Sequence, residues 1–243
     1  DAIHMDDYFY PYRITGKEFP DEAAYQKSGS NLSKDDWRRS NVDSIIKMLS
    51  IQIKKEKPWV QFGISPFCVW RNNDKDPRGS DSKAGQTNYD DLYADILLWL
   101  KEKWVDYVAP QLYLEIGHDK IDYAKLLDWW SKNSYGRNLY IGLGIYRSGS
   151  NAAWRNPNEL PNQIKLLRKY SNVQGSIYFS SKSFNNNPNG WNDSLRNNYY
   201  RVHVATPEMD WLPKNPNQNN STSSRKADAY IKDSKTANTK KPK

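Results

Sequence analysis

The sequence predicts an α/β fold in which a parallel sheet is covered by helices. Five short apolar runs alternate with amphipathic helical segments, and this order produces parallel strands joined by helical crossovers. Within the runs, aliphatic side chains alternate with glycine, tyrosine or polar side chains, as in NLYIGLGIY at residues 138–146. An aliphatic outer face opposite an inner face of small and tyrosine side chains favours a (β/α) barrel over an open doubly wound sheet.

The predicted elements follow one another in a regular order. The strands are residues 2–5, 59–70, 106–114, 138–146 and 173–181. The helices cover about residues 36–55, 89–103, 123–132, 158–170 and 190–199, and a polar loop covers residues 13–34. Ser33 or Asp35 is predicted to cap the first helix. No glycine-rich phosphate loop follows the first strand, which argues against a nucleotide-binding fold.

A closed (β/α)8 TIM barrel has eight strand–helix units, and five are predicted here. Two copies of the chain would supply ten strands, so a simple dimer would not form an eight-stranded barrel either. We therefore interpret residues 1–213 as a partial TIM barrel whose N-terminal units are absent, and we expect such a truncated chain to be inactive alone. Residues 214–243 are rich in Asn, Ser, Thr and Lys, a composition that predicts a disordered basic tail.

The basic charge of the chain lies mostly in that tail. The net charge is +8, and residues 214–243 carry eight basic and two acidic side chains, which leaves +2 for the other 213 residues. A solvated tail explains this charge, so we predict no nucleic-acid partner. The 10 Trp and 17 Tyr residues suit stacking on sugars and on single-stranded nucleic acid alike, and a steep salt dependence would reveal the latter.

Other chemistries find little support in the sequence. The single cysteine, Cys68, lies in an apolar run and is predicted to be a buried, inert thiol. Residues 74–79 resemble the start of a calcium loop, but Arg78 and Gly85 stand where ligands are needed. The histidines have no ligand spacing, and no Gly-x-Ser-x-Gly elbow occurs. We predict no metal, no cofactor and no membrane span, and the sequence does not indicate an oligomeric state.

Six motifs, in order along the chain, carry a family resemblance. They are IHMDDYFYPY, ISPFCVWRN, NYDDLYADILLWLKEKWVDYVAPQLY, LLDWWSKN, LYIGLGIYR and GSIYFSSKSF. Over about residues 1–212 they resemble the second half of the glycosyl-hydrolase-like family 10 proteins, which are bacterial (β/α)8 barrels and often envelope lipoproteins. The resemblance implies a glycosidase of the cell envelope that acts on a polysaccharide, with cell-wall glycan strands as the expected substrate. It also implies that IHMDDYFYP ends the fourth strand, so that about strands four to eight are present.

Hydrolysis of a glycoside requires two carboxyl groups, one acting as an acid and one as a base or nucleophile. Asp6 and Asp7 follow the first strand, where the resemblance places the catalytic rim. Asp6 is in phase with His4, and this phase favours Asp6 as the inward carboxylate. Glu115 ends the third strand in the inward phase and is the third catalytic candidate. The alternatives are that Glu115 is an exposed loop residue and that the second acid lies in the absent units.

Candidate substrate-binding residues stand at the ends of the other strands. We expect Trp70 and Tyr146 to be stacking platforms, and Lys182 to bind an anionic or acetamido group. Gln111 and Tyr113 point inward and either bind sugar hydroxyls or satisfy each other. The full set predicted to bind substrate is Tyr8, Tyr10, Ser65, Trp70, Arg71, Gln111, Tyr113, Tyr146 and Lys182. Ordinary packing at the rim is the alternative, and a carbohydrate-binding protein without catalysis is the alternative function.

Overall fold

The computed structural model describes residues 1–216, which fold around one parallel sheet. Its strands are β1 (Ala2–Met5), β2 (Gln61–Ile64), β3 (Tyr107–Val108), β4 (Asn138–Gly144) and β5 (Val173–Phe179). They lie side by side in the order of the sequence, and every neighbouring pair is parallel. The predicted parallel α/β architecture is thus confirmed.

Helices connect these strands. They are α1 (Glu22–Ser28), α2 (Lys34–Glu56), α3 (Ile96–Lys101), α4 (Tyr123–Lys132), α5 (Ala152–Arg155), α6 (Glu159–Leu167) and α7 (Trp191–Ser194). Ser33 caps α2 by accepting a hydrogen bond from the backbone N–H of Asp36 at 3.1 Å, which confirms one of the two predicted caps. The last predicted helix is a short α7 followed by a π-helical turn at Leu195–Tyr199.

Several predicted elements are shorter in the structure. Strands β2 and β3 end before Pro66 and Pro110, because a proline has no N–H to donate to the ladder. Isolated bridges from Gln111 to Phe67 and to Gly142 continue the pairing beyond β3. Helix α3 begins only after Asp95, whose carboxylate accepts the N–H of Leu98 at 3.2 Å. The loop predicted at residues 13–34 also contains α1, which the polar composition did not reveal.

The core lies between the outer face of the sheet and the helices. Alternate strand residues such as Phe62, Leu139 and Ile141 are buried there against helical side chains. Trp129 and Trp130 of α4 are also buried, as predicted for outer-layer core residues. The indole N–H of Trp130 donates to the carbonyl of Cys68 at 2.8 Å, so burial of this large ring leaves no unpaired donor.

Cys68 is a buried thiol, as the sequence predicts. Burial raises its pKa to about 12, because removal from water disfavours the thiolate. A thiol in this state is a poor nucleophile.

The inner face of the sheet carries tyrosine rings that lie across glycines. A Cβ atom on Gly63 would lie 2.0 Å from the ring of Tyr107, so only glycine allows this approach. The Tyr107 hydroxyl thereby reaches Nδ1 of His4 on β1 at 3.0 Å. The Tyr113 side chain lies in the same way against Gly142 and Gly144. This close approach explains why glycine and tyrosine share the inner-facing positions of the strands.

A buried ion pair holds the loop that follows β1. Arg38 of α2 is 2% exposed and donates two hydrogen bonds to Asp21, at 2.8 and 2.7 Å. It also donates to the hydroxyl of Tyr93 at 2.6 Å. A guanidinium that donates two hydrogen bonds to one carboxylate is among the stronger polar contacts in proteins. This contact anchors the loop to α2.

Both ends of the sheet are open within the described part of the chain. There, β1 pairs only with β2, and β5 only with β4. On the inner face of β5, Ile177 is 38% and Phe179 53% exposed. The tail predicted at residues 214–243 lies outside the described residues except for its first three positions.

None of the helices in the described residues combines the length and the apolar character that crossing a bilayer demands.

We predict that Gly63→Ala destabilises the protein. The added methyl group collides with the Tyr107 ring, which is confined by Tyr140 at a centroid distance of 5.6 Å. Overpacking of this kind costs about 1–3 kcal/mol, or about 3–10 °C in thermal midpoint for a chain of this size. Gly175→Ala is the matched control, because its Cβ would meet Tyr140 at 3.5 Å, an ordinary contact. Equal midpoints for the two variants would contradict this account of the inner face.

We also predict that Asp21→Asn weakens the fold near neutral pH by about 3–5 kcal/mol, because it leaves Arg38 buried without its counter-charge. The hydrogen bonds from Arg38 lower the pKa of Asp21 to about 2. A lowered carboxyl pKa stabilises the fold above the ordinary value of 3.8, and this stabilisation is lost as the pH falls to about 2. The difference in unfolding free energy between the variant and the unmodified protein should therefore narrow by about 2 kcal/mol over that interval in denaturant titrations, at about 1.4 kcal/mol per pKa unit.

Asp35→Asn provides the control, since Asp35 lies 3.6 Å from Arg38 but is 55% exposed. We expect a change below about 1 kcal/mol for this exposed partner. A pH-independent gap for Asp21→Asn would rule out the assigned ion pair.

Candidate functional site

Two aspartates follow β1 at the carboxyl edge of the sheet. Asp6 is exposed, and its Oδ1 accepts hydrogen bonds from the side-chain amide of Gln111 at 2.7 Å and from the backbone N–H of Asp7 at 2.9 Å. The same Gln111 amide donates to the carbonyl of Ser65 at 2.9 Å. Gln111 thus fixes Asp6 relative to the ends of β2 and β3.

Asp7 lies in a different environment one residue later. It is 1% exposed, and its Oδ2 accepts a hydrogen bond from the hydroxyl of Tyr12 at 2.6 Å. Burial raises the pKa of Asp7, and the negative charge of Asp6 raises it further, while the Tyr12 hydrogen bond works in the opposite direction. Asp7 therefore keeps its proton to a higher pH than an ordinary aspartate does.

The two aspartates are linked by a hydrogen bond from the backbone N–H of Asp7 to Oδ1 of Asp6 at 2.9 Å. Glycosidases place their two catalytic carboxyl groups about 5 Å or more apart, on either side of the scissile bond. Asp6 and Asp7 are neighbours at the end of one strand, so we expect them to supply only one of the two roles.

Three aromatic rings at or beyond the ends of neighbouring strands contact one another and form what we call the aromatic platform: Tyr113, Tyr146 and Phe179. Tyr113 stacks on Phe179 at 5.7 Å, and the Tyr146 ring stands at right angles to both. Tyr146 is 50% and Phe179 53% exposed. Burial raises the pKa of Tyr113, and the negative charge of Asp6 adds to the effect.

Glu115 is held away from the aspartates. Its two carboxylate oxygens accept hydrogen bonds from the Asn151 amide and the Trp154 indole, each at 2.9 Å. Burial alone would raise the pKa of Glu115, but these bonds and a backbone N–H outweigh it and leave the pKa lowered. No contact among the described residues joins Glu115 to Asp6 or Asp7. These contacts tie the loop after β3 to α5 and its N-cap residue.

Trp70 requires a correction, because the structure gives it no exposed surface. Its indole N–H donates to Asp95 at 3.2 Å, and its ring stacks on Trp129 at 6.2 Å. A ring without an exposed face cannot stack on a sugar, so the predicted platform role of Trp70 is not supported by its position.

Ser65 and Arg71, at the end of the same strand, are also engaged within the protein. The buried hydroxyl of Ser65 donates to the carbonyl of Ala109 at 2.9 Å. The guanidinium of Arg71 forms an ion pair with Asp90 at 2.8 Å. Both side chains therefore stabilise loops in this structure.

The remaining candidates lie at the edges of the site. Tyr8 is 72% exposed and stacks on Tyr12 at 5.7 Å. The Tyr10 hydroxyl donates to Asp21 at 3.4 Å, within the Arg38 cluster. Lys182 is exposed beyond β5 and forms no ion pair among the described residues.

A cleft of about 210 Å³ opens beside Tyr12. Its walls include Tyr10, Arg13 and Tyr93. Because the Tyr12 hydroxyl also bonds Asp7, this ring separates the cleft from the aspartates.

Sequence reasoning missed two residues of this site. Tyr12 belongs to the IHMDDYFYPY stretch, but only the tertiary structure shows its bond to Asp7. Phe179 occupies the inward phase at the end of β5, the same signal that singled out Tyr146, and it was open to detection on that ground.

Comparison with known proteins places the chain among glycosyl hydrolase relatives. The model of a family described as Glycosyl hydrolase-like 10 matches residues 1–158. The chain is 48% identical over 226 residues to Glycosyl hydrolase YngK of Bacillus subtilis, an alignment that covers 89% of this chain and 44% of that protein. It is 36% identical over 195 residues to Glycosyl hydrolase DigH of Escherichia coli, covering 76% of this chain and 44% of that protein. The chain thus spans less than half the length of these curated relatives.

We predict that Tyr12→Phe raises the pKa of Asp7 further. The hydroxyl of Tyr12 stabilises the ionised carboxylate and so lowers the pKa of Asp7. Without it, burial and the charge of Asp6 raise this pKa unopposed. The measurement is an NMR titration of the aspartate carboxyl carbons. Tyr8→Phe is the control, because Tyr8 stacks on Tyr12 without bonding Asp7. An unchanged or lowered pKa in Tyr12→Phe would exclude the assigned hydrogen bond.

Proposed function

Because this chain belongs to the glycosyl hydrolase-like 10 family, we propose that it carries carboxylate machinery of a glycoside hydrolase acting on a polysaccharide. The proposed substrate is the glycan strand of bacterial cell walls, and the proposed location is the cell envelope. One observation carries the catalytic part. Adjacent carboxyl groups at the carboxyl end of a parallel strand lie in contrasting environments, Asp6 exposed and Asp7 buried with a raised pKa.

We further propose that β1 to β5 correspond to strands four to eight of a (β/α)8 barrel. The sequential parallel order and the two open edges support this assignment. So does the position of the site, since (β/α)8 enzymes carry their chemistry at the carboxyl ends of the strands.

The geometry suggests different roles for the two aspartates. Asp6 is exposed and oriented by Gln111, so it is the catalytic residue that would touch the sugar. Asp7 is buried and acts through Asp6, which makes it a positioning residue. While Asp7 holds its proton, it can donate a hydrogen bond to Asp6. Once that proton is lost, two adjacent carboxylates repel each other.

Glycoside cleavage also needs a second carboxyl group opposite Asp6. Glu115 remains the candidate named by the sequence, yet both its oxygens are engaged by Asn151 and Trp154. This observation favours the alternative function, a carbohydrate-binding protein without catalysis.

We predict that Asp6→Asn lowers kcat/KM on peptide-free cell-wall glycan by about 10²–10⁴-fold, the range typical of a lost acid–base group. Asp7→Asn should cost less, because its amide still donates a hydrogen bond to Asp6. It should also abolish the fall in kcat/KM that we expect as the pH rises through the raised pKa of Asp7. The assay uses both the 243-residue chain and the longest natural product that contains it.

Asp119→Asn is the control, since its carboxylate is 80% exposed and far along the chain from the pair. Full activity in Asp6→Asn would remove Asp6 from the mechanism. Tight glycan binding without turnover in every natural form would establish the alternative function instead.

A further inference from the structure

Arg147 stands beside the aromatic platform without a protein partner. It ends the 3-10 turn Ile145–Arg147 that follows β4. Its Nε is buried and forms no hydrogen bond with any described residue. Nor does its guanidinium join any ion pair or ring contact formed within residues 1–216. Leaving a buried donor of a charged group unpaired is costly, and a bound ligand is one partner that would remove this cost.

The lack of a protein partner distinguishes Arg147 from the other arginines. Within residues 1–216, five arginines are buried or partly buried, and the four other than Arg147 each have a carboxylate or ring partner. Arg38 pairs with Asp21, and Arg39 with Asp36. The partners of the remaining two are Asp90 for Arg71 and the Trp211 ring for Arg137.

The position of Arg147 relates it to the platform. A Cβ atom on Gly144 would lie 2.9 Å from Cβ of Tyr113 and 3.2 Å from Cγ of Arg147. Both side chains therefore cover Gly144 from the same, inner face of the sheet. Arg147 also follows Tyr146 directly in the chain. A sugar ring stacked on Tyr146 or on Phe179 would therefore lie on the side of the sheet that carries Arg147.

We propose that Arg147 and the aromatic platform form a subsite for a sugar that carries a carboxylate. The rings would hold the apolar face of the sugar, and the planar guanidinium would receive the carboxylate through paired N–H donors. The nearby charge of Asp6 disfavours a phosphate dianion more than a single carboxylate. This inference rests on the proposed function and adds the substituent by which the substrate is recognised.

The test measures binding in an Asp6→Asn background, so that no glycan is consumed. The ligands are peptide-free cell-wall glycan, whose sugars carry lactyl carboxylates, the same glycan with its carboxyl groups reduced to alcohols, and a polyuronate oligosaccharide. Calorimetry should show the background protein binding at least one carboxylated glycan about 10- to 100-fold more tightly than the reduced one, the range for hydrogen bonds to a charged group. The stronger of the two carboxylated ligands identifies the source of the carboxylate.

Adding Arg147→Gln should abolish this preference and leave affinity for the reduced glycan unchanged. Arg155→Gln, at an exposed arginine of α5, is the matched control and should keep the preference. Arg147→Lys retains the positive charge but lacks the paired N–H donors of a guanidinium, so it should keep part of the preference. This variant provides the test if Arg147→Gln fails to fold.

Equal affinity of the background protein for carboxylated and reduced glycan would overturn the subsite while leaving the proposed function intact. So would a preference that survives in Arg147→Gln. Failure to bind any of the three glycans would overturn the subsite and the proposed function together.

Discussion

The close approach of tyrosine rings to glycines on the inner face of the sheet determines where the site residues lie. Gly63 lets the Tyr107 ring cross β2 and reach His4, two residues before Asp6. In the same way, Gly144 leaves the space that Tyr113 occupies beside the aspartates. Larger side chains at these glycines would displace the two tyrosine side chains.

Two adjacent aspartates acquire different properties because their side chains meet different surroundings. Asp6 is exposed and accepts a hydrogen bond from Gln111, while Asp7 is buried and accepts one from Tyr12. Burial then separates their chemistry, because a carboxylate removed from water holds its proton more tightly. A contrast between neighbouring acids is a common way for proteins to divide acid and base roles.

The rim residues show why a strand-end position alone does not define a binding residue. Trp70 and Tyr146 both follow apolar strands and were equally good candidates. Trp70 is buried because α4 places Trp129 on its ring, whereas Tyr146 contacts Tyr113 and Phe179 and stays half exposed. The difference depends on contacts with residues distant in the chain, and that information is not local to the sequence.

The sequence by itself determined the parallel α/β architecture, the cap of α2 and the buried tryptophans of α4, because periodicity and capping chemistry act over a few neighbouring residues. It also indicated the family, through motifs that run in order along the chain. The tertiary structure alone showed that Glu115 is engaged by Asn151 and Trp154, that Trp70 is buried and that Arg147 is unpartnered. Those properties arise from contacts between residues far apart in the chain, and only folding brings such residues together.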